Sequence, residues 1–402
     1  MPPLARAAGA ALAAFTVLTG ASAFWAPSPE RAFLEFGRVG LYLGLFALAV
    51  LAARPGDGRR WSDGLALGIA VIGCLALAQR LLPGLLPATD IPRLLPSAGS
   101  RLSYPIGYWN GLALMLGLGL PLLVRAAIAA ETLLARAAAV VPVPIVVAAM
   151  YLTSSRGGML AATVALLVFL ALTPRRFAAL QAIAAAGVAS GIALAVLADR
   201  PALVDGTPGS AAAEAAGPEV AALIALVSIL SGGAYAALTT IAPQQLRVPR
   251  LAALALVVVV VAGAGAAAVA ADPAERFRSF KQPPAPSAGD GGEFVGSHLL
   301  SGAGSGRWQY WGAAFDQFQA HPVAGQGAGS YEAWWAQHGT IDWFIRNAHS
   351  LWAETLGELG LIGLVLLLAV FTAGAVAAVA RVRGTAGTAR TVPAALAGVV
   401  AG

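Results

Sequence analysis

Charge is what this chain has least of. Asp, Glu, Lys and Arg make up 11% of its 402 residues, against 58% hydrophobic residues and a mean hydropathy of +0.77. That balance excludes the soluble globular class. Lysine occurs once, at Lys281, so arginine supplies nearly all the positive charge. Cysteine also occurs once, at Cys74, which rules out a disulfide within the chain. No Asp-x-Asp pair is present to hold a divalent ion for a sugar nucleotide. The four histidines, His298, His321, His338 and His349, follow no usual zinc spacing. The expectation is therefore metal-independent chemistry without a cofactor. The pI near 10 comes from arginines at helix ends that meet anionic lipid, so membrane lipids and no nucleic acid are the expected partners.

What the chain has in abundance is apolar runs of the length that crosses a roughly 30 Å hydrocarbon core. They lie near 8–25, 37–53, 64–82, 105–124, 137–153, 157–173, 177–198, 218–241, 251–271 and 350–380. An eleventh begins near 392 and the chain stops inside it at Gly402, so the sequence reads as truncated or its last helix as short. Inside lipid only helices or closed barrels satisfy the backbone, and uniform apolar runs are helical. The predicted fold is all-α, a polytopic transmembrane bundle of about 10–11 spans. The first span ends in Ala21-Ser22-Ala23, which imitates a signal-peptide cleavage site. A retained helix fits better, because the loop charges alternate only when it is counted.

With the N-terminus inside, Arg54, Arg59, Arg60, Arg125, Arg136, Arg175 and Arg176 all fall at cytoplasmic ends, opposed only by Asp57, Asp63 and Glu131. The polar stretch 272–349 then lies outside. This gives three parts: a bundle over 1–271 with about nine spans, an extracytoplasmic catalytic loop over 272–349, and C-terminal spans over 350–402. A multi-pass protein of the cytoplasmic (inner) membrane is the expected setting.

All four histidines and six of the nine tryptophans sit in or beside that loop. From Arg307, residues Trp308, Trp311, Ala314, Phe315 and Phe318 recur at helical spacing, which predicts an amphipathic helix lying on the membrane or the bundle. His321-Pro322 stops it, a Gly325–Gly329 loop follows, and Tyr331–His338 forms a second short helix. That glycine run lacks a preceding strand, so it is no dinucleotide site.

The run RWQYWGAAFDQFQAHPVAGQGAGSYEAWW, followed by NAHSLWAETLGELGLIGL, resembles the hallmark of the O-antigen ligase and O-antigen polymerase family of membrane glycosyltransferases. RLSYPIGYWNGLALML at 101–116 and SSRGGMLAA at 154–162 agree with it. The resemblance implies transfer of a glycan from a polyprenyl-diphosphate carrier to an acceptor hydroxyl of a lipid, glycan or protein, at the outer membrane face. Polymerase activity, with another lipid-linked repeat as acceptor, is the neighbouring reading. A transporter or flippase for lipid-linked sugars is the rival from another class. Spans almost free of charge speak for an enzyme.

A departing diphosphate needs cations that remain charged, and arginine meets phosphate oxygens in bidentate fashion. Arg156, in a turn flanked by Ser154, Ser155, Gly157 and Gly158, is the first candidate, Arg307 the second and Arg101 the third. Each has an ordinary reading, as a snorkelling, helix-start or loop charge. His349, just before the returning helix, is the candidate general base, the alternative being a capping or packing role. Glu358, one turn beyond Glu354, is a candidate substrate-site residue that would pair with an arginine and order the site; Asn110 would be a buried hydrogen-bonding residue. His321 shapes its turn, and His298 and His338 are solvated.

Overall fold

The computed structural model describes residues 3–54, 56–87, 98–241, 272–284 and 303–402, together with 251, 255, 258, 259, 262, 263, 265 and 299. Most of the span predicted at 251–271, most of the connection 281–306, and His298 lie outside the described residues.

All regular structure among the described residues is helical. The membrane-length part comprises α1 (Pro3–Ala21), α2 (Pro29–Ala52), α3 (Gly58–Leu81), α4 (Trp109–Ala129), α5 (Leu133–Val140), α6 (Pro142–Leu152), α7 (Arg156–Leu172), α8 (Arg176–Ala198) and α9 (Ala211–Ile241). Then come α10 (Pro273–Lys281), α11 (Arg307–Ala320), α12 (Tyr331–His338), α13 (Leu351–Gly384) and α14 (Thr391–Ala401). Among the described residues, eight stretches are long and apolar enough to cross a membrane, the α5–α6 pair counting as one, so the chain is an all-α polytopic membrane protein. α7, at 17 residues, is shorter.

Helix starts follow local chemistry that hydropathy does not weigh. α2 begins well before the predicted 37, because Ser28 accepts a hydrogen bond from Arg31 N (3.3 Å) and Pro29 opens the helix. The charges of Glu30, Arg31, Glu35 and Arg38 had hidden this first half. α9 likewise starts at Ala211 and runs through Pro218, ahead of the predicted 218.

By contact the chain forms two units. One comprises Gly56–Gly263, Ser287–Ser301 and Ala378–Gly402. Its helices pack through small residues, as helices do where lipid gives no hydrophobic drive between them. A Cβ on Gly119 would stand 2.3 Å from Ile69, and one on Gly398 would stand 2.6 Å from Ala165 O. Arg125, read as lying at a cytoplasmic helix end, is buried in the last turns of α4 and pairs with Asp63. Arg80 is buried too, donating from Nε to Leu203 O (2.7 Å) and from Nη2 to Val204 O (3.0 Å).

The second unit comprises Met1–Pro55, Ala264–Pro286 and Gly302–Ala377. It gathers the α1–α2 hairpin, α10, α11, α12 and most of α13. The partition drawn from sequence ran along the chain; contact groups the first hairpin with the loop near the other end.

α13 departs most from expectation. Gly360 has φ 62° and ψ −160°, outside any helix. The Trp352 and Phe371 rings nevertheless lie 5.1 Å apart. In a straight helix their separation along the axis would be about 28 Å. The chain therefore reverses at Gly360, and a first limb (351–359) folds back on a second (361–384). The second limb alone, about 36 Å long, suffices to cross a bilayer.

Candidate active site

The polar loop builds a small core of its own. Tyr310, Ala313 and Ala314 of α11 are buried with Tyr331 and Trp335 of α12 and with Ile345 and Ala348. The Tyr310 and Trp335 rings meet edge to face at 5.2 Å, a favoured aromatic geometry. Tyr331 Oη donates to Tyr310 O (2.9 Å) and Trp335 Nε1 donates to Trp343 O (2.7 Å). α11 is amphipathic, but the face it buries differs from the predicted one. Trp308 and Phe315 stay exposed, while Trp308 and Trp311 pack on Phe277 and Phe280 of α10. The sequence pattern favoured the larger rings; the buried side instead follows Tyr310, Ala314 and Gln317, spaced at three and four residues.

The loop after α11 threads into the reversal of α13. On one side Gly327 N donates to Glu358 O (2.7 Å). On the other, Leu361 N donates to Pro322 O (3.0 Å) and Ile362 N to Val323 O (3.2 Å). Main-chain groups freed by the broken helix are thus satisfied by the loop, as an apolar setting requires. Both sides need glycine. A Cβ on Gly325 would lie 2.2 Å from Glu358 O, and one on Gly360 2.5 Å from Val323 O.

Glu358 completes this anchor. Its carboxylate is buried and accepts from Gly329 N (2.9 Å) and Tyr331 N (3.0 Å), so one oxygen holds the glycine loop and the other the start of α12. Its partners are main-chain amides, not the arginine anticipated. Gln317, fully buried, reaches the same loop through Gln326 Oε1 and Ser330 Oγ, each at 2.9 Å. One helical turn earlier, Glu354 accepts from Ala348 N (2.8 Å) and Asn347 Nδ2 (3.1 Å), clamping the residues that precede His349.

His349 follows this clamp in the left-handed region, φ 54°, a conformation that histidine tolerates better than bulkier residues. Its ring sits 5.5 Å from that of Tyr310, four residues into the helix that Arg307 opens. The residue as a whole is exposed, yet crowding around the imidazole lowers its pKa, and the charge of Arg307 lowers it further. Burial raises the pKa of Tyr310, with Arg307 opposing, so the phenol stays protonated. The structure thus brings Arg307 and His349 together around Tyr310.

The α1–α2 turn closes against this assembly. Ser22 Oγ accepts from Ala328 N (3.0 Å). Glu332 takes Arg31 Nη2 at 2.8 Å and Arg346 Nε at 3.3 Å. None of these three charged residues stood out in the sequence. The one available signal was an arginine placed just after the Ser28-Pro29 helix start, in a chain with few charges.

Of the other histidines, His321 caps the C-terminus of α11, and its carbonyl accepts from Gly325 N (3.1 Å), a turn-shaping position. His338 is exposed and stacks on Trp334 at 4.0 Å.

Arg101 and Arg156 belong to the first unit described. Arg156 is the first residue of α7, half-buried, where Ser155 caps the helix by accepting from Gly158 N (3.2 Å). Arg101 Nη2 donates to Ser154 O (2.9 Å) and its guanidinium lies 5.1 Å from the Trp109 ring centroid. These two candidates therefore share one corner of their unit. Gly158 is a packing glycine, since a Cβ there would stand 2.5 Å from Ala113 Cβ. Asn110 is half-exposed near the start of α4 and donates to Tyr108 Oη (3.1 Å), not buried as anticipated.

Residues 219–368 match the family model described as O-antigen ligase. The chain carries an O-antigen ligase domain. No match is found among curated proteins or among solved structures. The ligase domain runs from α9 into the second limb of α13 and includes Arg307, His349, Glu354 and Glu358. Arg101, Arg156 and the Arg31 partner of Glu332 fall outside the matched range. With its apolar helices, the matched domain points to a membrane protein of polysaccharide biosynthesis; members of the domain's family are glycosyltransferase-like enzymes acting on lipid-linked glycans.

Proposed function

We propose that the ligase domain transfers a glycan from a polyprenyl-diphosphate carrier to an acceptor hydroxyl, with His349 as general base and Arg307 on the diphosphate. The observation that carries this reading is the pairing of a neutral-leaning imidazole with an arginine across Tyr310. His349 takes the proton of the acceptor hydroxyl, whose oxygen attacks the anomeric carbon. The bond from that carbon to the diphosphate oxygen breaks, and the electron pair leaves with the carrier. Arg307 offsets the charge that gathers on the departing oxygens. No metal is needed for this balance. Glu358 serves the substrate through the loop it anchors. Arg156 and Arg101, in their own unit, are proposed as further diphosphate contacts on the chemistry of the guanidinium.

The arginine distribution supports a cytoplasmic N-terminus and an extracytoplasmic site in the cytoplasmic membrane. Ligase and polymerase would share this donor chemistry and differ only in the acceptor.

Vesicles supplied with carrier-linked donor test the reading. Arg307→Ala is expected to lower kcat by about 100-fold, the scale of losing one charge-stabilising donor. Arg307→Lys, which keeps the charge but not the fork, should recover part of the loss. A chelator should leave the rate unchanged. Wild-type activity in Arg307→Ala, or loss of activity on chelation, would sink the proposal.

The acid side of the pH profile gives a second check. Activity needs the neutral imidazole, and a lowered pKa keeps that form populated below the usual value of about 6.5. The rate should therefore hold as pH falls past 6.5 and drop only through the lower value. An acid limb centred above 6.5 would contradict the assignment of the base.

A further inference from the structure

A cavity of about 420 Å³ opens where helix ends of the bundle unit converge. Three arginines line it: Arg176 at the start of α8, Arg383 at the end of α13 and Arg390 just before α14. Leu172, Val379 and Val382 form an apolar wall beside them, and no carboxylate is among the lining residues. Among the described residues, neither Arg383 nor Arg390 forms an ion pair. The Nε of Arg390 is buried without a hydrogen-bond partner.

Two of these positions run against helix electrostatics. Arg176 is the first residue of α8 and Arg390 the N-cap of α14, and neither helix has a side-chain cap. A cation at the positive end of a helix is unfavourable, whereas an anion there is stabilised by the dipole and the unpaired N–H groups. Arginines kept only to orient a helix extend singly into water or headgroups. Here three share one cavity, and two crowd onto helix ends that themselves favour an anion.

We propose that this cavity binds the phosphate of an anionic phospholipid. The ligand chemistry is a phosphate diester held by guanidinium groups. The apolar wall distinguishes a lipid from free phosphate, since it would meet the glycerol and upper acyl segments at the depth where spanning helices end. The site is separate from the His349 centre and does not depend on the reaction proposed for it.

Native mass spectrometry of the delipidated full-length protein in neutral detergent tests the proposal, with phosphatidylglycerol, phosphatidylcholine and inorganic phosphate as probes. Phosphatidylglycerol should bind, and phosphatidylcholine should not. In the double variant Arg383→Gln/Arg390→Gln, binding should weaken by about 30-fold, at about fivefold per arginine near an anionic headgroup. Arg381→Gln, an exposed arginine outside the cavity lining, should bind as the wild type does. Equal binding of phosphatidylglycerol by the double variant, or equal binding of phosphatidylcholine, would overturn the site. Displacement of the lipid by millimolar inorganic phosphate would overturn the lipid assignment in favour of a soluble anion. That competition uses wild-type protein, so it decides even where the double variant does not fold.

Discussion

Asparagine at His349 is expected to leave the protein folded and to slow glycan transfer by about 10²–10⁴-fold, the contribution of a positioned general base. The choice of variant follows from the backbone. At φ 54° alanine lacks the polar side chain that favours asparagine and histidine in the left-handed region, so a loss seen with alanine alone would mix geometry with chemistry. Asparagine accepts the left-handed conformation readily and has no basic nitrogen. The neighbouring clamp, Glu354 on Ala348 and Asn347, does not involve the imidazole and should survive. Thermal unfolding of His349→Asn should match wild type while kcat collapses. If His349→Asn turns over at the wild-type rate, the imidazole is not the base; if unfolding shifts with the rate, its role is in packing.

The second large effect is expected at Gly360. With φ 62° and ψ −160°, this residue occupies a region open essentially to glycine alone. An alanine Cβ would in addition stand 2.5 Å from Val323 O and 2.6 Å from Gly325 N, and the main chain there has no room to yield. Relieving the clash means withdrawing the loop, which breaks the bonds of Gly327, Leu361 and Ile362. Strain of about 1–3 kcal/mol and about 1 kcal/mol net for each of those hydrogen bonds together threaten most of the stability of a marginal fold. Gly360→Ala should therefore lower Tm sharply, expose the 322–329 loop to protease and abolish transfer. Gly374→Ala is the control, for nothing lies within 4 Å of a Cβ there. A Gly360→Ala protein as stable as Gly374→Ala would mean that the reversal of α13 is not maintained.

What was legible in the sequence follows the range of the interaction. Apolar runs report burial in lipid residue by residue, so most spans were readable, and Ser155 and His321 mark their helix ends locally. α2 was read too late because its first half carries Arg31, Glu35 and Arg38, whose partners are distant or polar. The Gly-x-Gly-x-Gly stretch was recognisable as a loop. The reason for Gly325, contact with the main chain of Glu358, belongs to another segment and leaves no local trace. The same holds for Glu358 itself, since an acid near an apolar run signals a partner without naming it. The reversal at Gly360 was hidden because residues that are apolar apart from Glu354, Thr355 and Glu358 run on through it, which composition cannot tell from one long helix.

The link from Arg31 to Glu332 spans 301 residues, and Ser22 reaches farther still, 306 residues, to Ala328. The α1–α2 hairpin must wait for the synthesis of 301 further residues after Arg31 before its polar edge is covered. Until then the Arg31 guanidinium has only water or headgroups to satisfy it, and Ser22 Oγ has only its local bond to Thr19 O (2.7 Å). Assembly of the ligase domain is thus a late, long-range closure, and an interruption of synthesis before residue 332 would leave the amino-terminal hairpin without its mate.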